Sequence, residues 1–177
     1  SALIGAGMTV VGGRSVEEVT GWFEKVYEDR VRPSFMVAST TKLFEHMEQG
    51  DRVVLISATP ALLGQFIAKA LGVEFFACAE LETADGRILN GVVDPVPYGE
   101  GKVPHAERLA RETGLSLEGA FFYTDSSSDL PLLEKVGHPV AVNPDPFLRR
   151  TAMKRGWPIM EDLNTEDLRA IKEKLGR

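Results

Sequence analysis

The chain has 177 residues, 44% of them apolar and 26% charged, and its twenty Lys plus Arg stand against 26 Asp plus Glu for a net charge of -6. That mix belongs to one domain with its own core, and it excludes collagen-like, wholly disordered and membrane-spanning chains. The acidic balance offers no bulk attraction for nucleic acid or a membrane surface. One cysteine, Cys78, excludes an internal disulfide, and three scattered histidines argue against structural zinc. Without a secretory apolar run, the cytoplasm is the expected compartment. The opening Ser1-Ala2-Leu3-Ile4-Gly5 lacks Met and enters directly into a small apolar segment. It reads as the continuation of a chain whose head lies elsewhere.

Ser15-Val16-Glu17-Glu18 has the spacing of a capping box. Behind it Val16, Val19, Trp22, Phe23, Val26 and Tyr27 recur at helical spacing, which predicts a helix to about Arg30, broken by Pro33. A second helix runs through Phe35, Leu43, Phe44 and Met47 and stops at Gly50. Arg52 to Ile56 is a short β-branched run that predicts a buried parallel strand, and Pro60 opens a helix closing at Leu71-Gly72. Val73 to Ala77 predicts a strand. Glu80 to Leu89 predicts a hairpin about Asp85-Gly86.

Asp94 to Gly101, rich in Pro and Gly, predicts a loop, and helix resumes near Lys102 and runs to Gly114. Strands are expected at 120–123, 139–142 and 157–160, and helices at 130–136, 147–155 and 165–175. Strands alternating with helices at this spacing predict an α/β fold, doubly wound on a mainly parallel sheet.

Ligands of open α/β sheets bind beyond the carboxyl ends of the strands. Three places qualify. Ser57-Ala58-Thr59-Pro60 follows a strand and opens a helix, where small residues and free N–H groups suit an anion, although Thr59 also reads as a plain helix cap. Thr124 to Pro131 carries Asp125 and Asp129 with three serines between them, an oxygen-only set that suits a hard cation such as Mg²⁺. There too a cap by Ser128 or Asp129 is an ordinary alternative. Lys102 begins a helix, where its charge opposes the helix dipole and calls for an anion nearby; a solvated surface lysine is the plainer reading.

Taken together and in this order, a Ser, a Lys and a D-x-x-x-D at strand ends and helix starts resemble the haloacid dehalogenase (HAD) superfamily, in particular the branch with phosphoserine phosphatase. The resemblance extends from Ser15 to Trp157. It is densest in Val53 to Thr59, Gly99 to Lys102, Tyr123 to Leu133 and Val136 to Asp145.

It implies a HAD-like Rossmannoid three-layer sandwich with a small β-hairpin flap. Residues 1–32 would be the remnant of a helical cap with its connecting helix, and 33–177 the core. It implies a Mg²⁺-dependent phosphomonoesterase acting on a small phosphorylated substrate. Ser57 would hydrogen-bond a phosphoryl oxygen, aided by Ala58 and Thr59, and Lys102 would steady the phosphate. Asp125 and Asp129 would serve the metal, and Ser128 would make a further polar phosphate contact.

One part of that pattern is missing. The family's first motif, D-x-D-x-T/V, carries the nucleophilic Asp and an acid/base Asp on the central strand of the sheet. No Asp of this sequence has another two positions on. Three readings follow: a head that lies outside this chain, a non-catalytic relative that binds phosphate, or an unrelated α/β module that uses the Asp125 loop for a metal.

Overall fold

The computed structural model describes residues 10–164 together with Asp167 and Arg169. The expected helix at 165–175 lies outside the described residues apart from those two. Helix α1 (Val16–Val26) starts where Ser15 Oγ accepts the Glu18 N–H at 3.1 Å. The capping box is only half formed, because the Glu18 carboxylate turns to Arg14 at 2.8 Å instead. The helix runs on past Arg30, though not as α-helix beyond Val26. It widens into a π turn (Tyr27–Val31) and tightens into a 3₁₀ turn (Arg32–Ser34) around Pro33, which cannot donate to a continuing helix. Tyr27 is buried there, stacked on Phe66 with ring centroids 6.0 Å apart.

Helix α2 (Val37–Glu48) is followed by β1 (Val54–Pro60) and α3 (Ala61–Leu71). Pro60, not Thr59, occupies the N-cap position of α3, so the plain-cap reading of Thr59 is set aside. Strand β2 (Phe75–Ala79) pairs parallel with β1. The hairpin follows as β3 (Leu81–Ala84) and β4 (Arg87–Val92), its turn made by Asp85 at φ 48° and Gly86 at φ 72°. Two successive positive φ angles are what a two-residue hairpin turn demands.

The chain then forms α4 (Lys102–Thr113), β5 (Phe121–Thr124), the single-turn α5 (Leu130–Leu133), β6 (His138–Val142), α6 (Pro146–Arg155) and β7 (Ile159–Met160). Strands β5, β6 and β7 are mutually parallel in that order. Among the described residues, β1 pairs only with β2, and β5 pairs on one side only, with β6. The parallel strands thus fall into two sheets, each with an open edge.

Three apolar clusters hold this together. Ile56 of β1 and Phe122 of β5 pack against the same group, Val103, Ala106 and Leu132, so α4 lies against both sheets. Leu133, Ala141, Leu148 and Ala152 form a second group between β6 and α6. Val19 and Ile88, both fully buried, join α1 to the hairpin and meet Leu62 of α3. The 13–16 segment also bonds to the hairpin, through Gly13 N–H to Ile88 O of β4 (2.8 Å) and Val16 N–H to Gly86 O of the turn (2.9 Å). Cys78 is buried, and burial pushes its thiol up to about 11, so it stays protonated and inert. Among the described residues no helix is long and apolar enough to cross a membrane.

Candidate active site

The loop Gly99–Gly101 and the turn Ser127–Asp129 meet at the C-terminal end of β5. Gly99 sits at φ +54°, and a Cβ there would lie 3.3 Å from the Ser128 carbonyl. A Cβ on Gly101 would run into the Val96 carbonyl. Both glycines therefore permit close backbone approaches that bring Lys102 up to the Asp125–Asp129 turn.

There Lys102 Nζ donates to Asp129 Oδ2 at 2.6 Å, with side chains 13% and 2% exposed. Thr124 Oγ1 donates to the same oxygen at 2.6 Å. This answers the sequence argument that Lys102 needs an anion: its partner lies 27 residues on. Asp129 Oδ1 is buried with no partner. An orphaned carboxylate oxygen in a dry site is costly, and a cation or a further donor would relieve it.

Asp125 stands one residue beyond β5, exposed, and its carboxylate has no hydrogen bond or ion pair among the described residues. Its backbone is held firmly. The Asp125 carbonyl accepts from Asp145 N–H at 2.9 Å, and Asp145 Oδ2 accepts the Ser127 N–H at 2.6 Å. Ser126 N–H goes to Thr124 Oγ1, Ser128 N–H to Ser126 Oγ and Asp129 N–H to Ser126 O. All four amides from Ser126 to Asp129 are thus committed, three inside the turn and that of Ser127 to Asp145. A bound anion must look to side chains for its donors.

Ser126 caps the Ser127–Asp129 turn, and Asp129 occupies the N-cap position of α5 without a side-chain cap bond; the Ser128 hydroxyl pairs with that of Ser126 at 2.8 Å. Ser57 follows Ile56, whose side chain shares a cluster with Val103, so Ser57 and Lys102 each adjoin the same apolar group. Ser57 Oγ donates to Thr59 Oγ1 at 2.9 Å and accepts the Thr59 N–H at 3.1 Å, while Ala58 is half-buried between them. No hydrogen bond joins Ser57 or Ser128 to the Lys102–Asp129 pair among the described residues.

Among the described residues, no three His, Cys, Asp or Glu side chains cluster as a metal site. Mg²⁺ asks less than that, because it takes one or two carboxylates and completes its shell with water and phosphate oxygens. The free Asp125 carboxylate and the orphaned Asp129 oxygen fit such a partial set.

Sequence reasoning missed two supporting residues, Thr124 and Asp145 in this role. Asp145 had a legible signal, an Asp-Pro pair ahead of an apolar helical run, and it caps α6 through Phe147 and Leu148 N–H. Asp162 was missed too. It accepts from Ala38 (2.7 Å) and Ser39 (2.6 Å) at the start of α2.

These donors decide the acid response. Hydrogen bonds from Leu148 and Ser127 hold Asp145 down to about 2, and at Asp162 the donors Ser39, Ala38 and Leu163 outweigh the upward push of burial. A carboxyl whose folded pKa is depressed stabilises fully above its unfolded value, about 4, and loses that contribution as pH falls through the folded value. Thermal melts from about pH 6 to pH 2 should therefore drop, and less steeply for Asp162→Asn. A variant that loses as much melting temperature as the parent would contradict this.

The Mycobacterium tuberculosis protein named phosphoserine phosphatase SerB1 is 34% identical over 154 residues, covering 87% of this chain and 50% of its own length. A histidinol-phosphatase of Neisseria meningitidis is 30% identical over 150 residues, covering 82% of this chain and 68% of its own. The chain spans about half the length of the mycobacterial relatives it matches. A solved protein of unknown function from Bordetella pertussis superimposes with a TM-score of 0.82 at 32% identity, over 89% of this chain and 72% of that one. A substrate-bound phosphoserine phosphatase, at 19% identity and TM-score 0.66, covering 93% and 73%, shares the fold. The family profile of haloacid dehalogenase-like hydrolases matches residues 9–134, and the chain belongs to that family.

Proposed function

We propose that this chain belongs to a Mg²⁺-dependent phosphomonoester hydrolase acting on small phosphorylated metabolites. The observation that carries the reading is the buried Lys102–Asp129–Thr124 group beside the free carboxylate of Asp125, at the end of β5. The relatives named phosphoserine phosphatase and histidinol-phosphatase support a phosphorylated amino acid or amino alcohol as the substrate class.

In this reading Lys102 offers its ammonium to a phosphoryl oxygen, and Asp129 with Thr124 holds that ammonium in place. Ser57 and Thr59 offer hydroxyls, Ala58 leaves room beside them, and Ser128 adds a polar contact. Asp125 and the free oxygen of Asp129 would hold Mg²⁺, which when bound neutralises phosphate charge as the P–O bond breaks. A carboxylate nucleophile would attack phosphorus and expel the alcohol, and water would then cleave the acyl-phosphate. That nucleophile belongs to a D-x-D which this sequence does not contain. We read residues 1–32 as the remnant of a helical cap with its connecting helix and 33–177 as the phosphatase core.

The absence of D-x-D favours a second reading, phosphate binding without turnover. One experiment separates them. Phosphate release from phosphoserine and histidinol phosphate is measured for the chain alone and for the chain with a D-x-D strand joined ahead of it. The hydrolase reading expects Mg²⁺-dependent release from the fusion only, lowered about 100-fold or more by Asp125→Asn. Phosphate binding with no release from the fusion establishes the second reading. Release that Asp125→Asn leaves unchanged refutes the metal assignment.

A further inference from the structure

We propose that Asp145 is a positioning residue for the Asp125 loop, fixing that loop for metal binding by tying it to the start of α6. The proposal rests on the reading that Asp125 holds the metal. Asp145 lies twenty residues beyond Asp125, after β6, yet it grips the loop at two successive points. Its N–H donates to the Asp125 carbonyl at 2.9 Å, and its Oδ2 accepts from Ser127 N–H at 2.6 Å. Its other oxygen accepts from Phe147 N–H (2.9 Å) and Leu148 N–H (2.8 Å), the first turn of α6.

A carboxylate is needed for this. Each oxygen serves a different element, and an amide has one acceptor oxygen, which must choose between the helix and the loop. The anchor is rigid on its own side, because Leu148 and Ala152 of α6 are fully buried against Leu133 and Ala141. Two residues before Asp145, Asn143 adopts φ +42° and exchanges hydrogen bonds with the Asp162 backbone at 2.8 and 3.0 Å. The segment carrying Asp145 is thus pinned from behind. The free Asp125 carboxylate has no side-chain partner of its own among the described residues, so its placement depends on the backbone that Asp145 holds.

Two variants remove the tie in different ways. Asp145→Asn leaves one acceptor for two tasks. Ser127→Pro deletes the N–H that Oδ2 accepts without changing any residue of α6, and its ring pushes Oδ2 away from the loop; Ser126 at φ -106°, ψ 131° has the backbone that precedes a proline readily. Asp162→Asn is the control, since it weakens a helix cap of similar kind at α2 without touching the loop. The probe is Mn²⁺ in place of Mg²⁺, added to the whole chain and read by broadening of the backbone amide signals and by calorimetric titration. Melting temperature is recorded in parallel.

The wild-type chain should show broadening centred on Asp125 to Asp129. Both loop variants should bind Mn²⁺ about tenfold or more weakly, while Asp162→Asn lowers the melting temperature with Mn²⁺ affinity unchanged. Wild-type affinity in the two loop variants overturns the positioning role. So does an equal loss in Asp162→Asn, which would trace the effect to general destabilisation. A wild-type chain with no localised broadening refutes the metal reading beneath the proposal, a result distinct from either.

Discussion

Replacing Lys102 with Met is expected to destabilise the fold by about 3–5 kcal/mol, because it leaves a buried carboxylate without its cation. Asp129 has almost no contact with water, and one of its oxygens already lacks a partner. After the change only the Thr124 hydroxyl would remain on the other oxygen. One hydrogen bond from a neutral donor contributes roughly 1 kcal/mol and cannot offset the desolvation of a charge. Urea unfolding of Lys102→Met, Asp129→Leu and the double variant measures this directly. The double variant should recover a good part of the loss, since a buried pair exchanged for apolar groups of similar size is often close to neutral. A single-variant cost under about 1 kcal/mol would mean that water reaches Asp129, and the site could then not be called dry. The same pair bears on function, for a lysine fixed by a buried carboxylate meets an incoming phosphate already oriented.

Features set by local rules were legible in the sequence. Gly50, Gly72 and Gly114 end their helices at φ 86°, 68° and 70°, and the Asp85-Gly86 turn follows from the need for positive φ. The strand–helix alternation places every parallel strand, with ends within about two residues except that β1 runs on to Pro60, four residues past Ile56. The site was legible in part. Helix-dipole reasoning shows that Lys102 needs an anion and the D-x-x-x-D spacing directs Asp129 to a metal, but no spacing argument reveals that one of its carboxylate oxygens also faces the lysine. Thr124 gave no signal, because it reads as an ordinary β-branched strand residue until the turn folds back on it. The same holds for His46, whose ring nitrogens reach Asp51 and, across 77 residues, the Tyr123 hydroxyl at 2.8 Å. Local propensity sees neighbours in the chain. Contacts made by topology stay hidden until the sheets are placed.

The chain by itself is expected to associate in solution through the open edges of β1 and β5. A parallel strand inside an α/β sheet ordinarily has a partner on each side and near-complete burial. Here Val54 is 37% exposed and Phe121 49%, both at the start of strands that lack a neighbour on one side among the described residues. Such an edge presents a row of unpaired N–H and C=O groups beside apolar side chains, which is a template for another extended segment. Neither strand carries a charged residue or a bulge that would blunt it, apart from the irregularity between Ser57 and Pro60 at the end of β1. Sedimentation velocity over a hundredfold range of concentration, about 1 to 100 µM, should show the apparent mass rising from 19.4 kDa toward at least twice that value. The pair of substitutions Val54→Lys and Phe121→Lys should hold the chain at 19.4 kDa, because charge on an edge opposes pairing at little cost to the core. A wild-type mass constant over the whole range would show that these edges are covered. A central strand supplied from outside these two sheets would cover both at once, since α4 packs against Ile56 of one and Phe122 of the other.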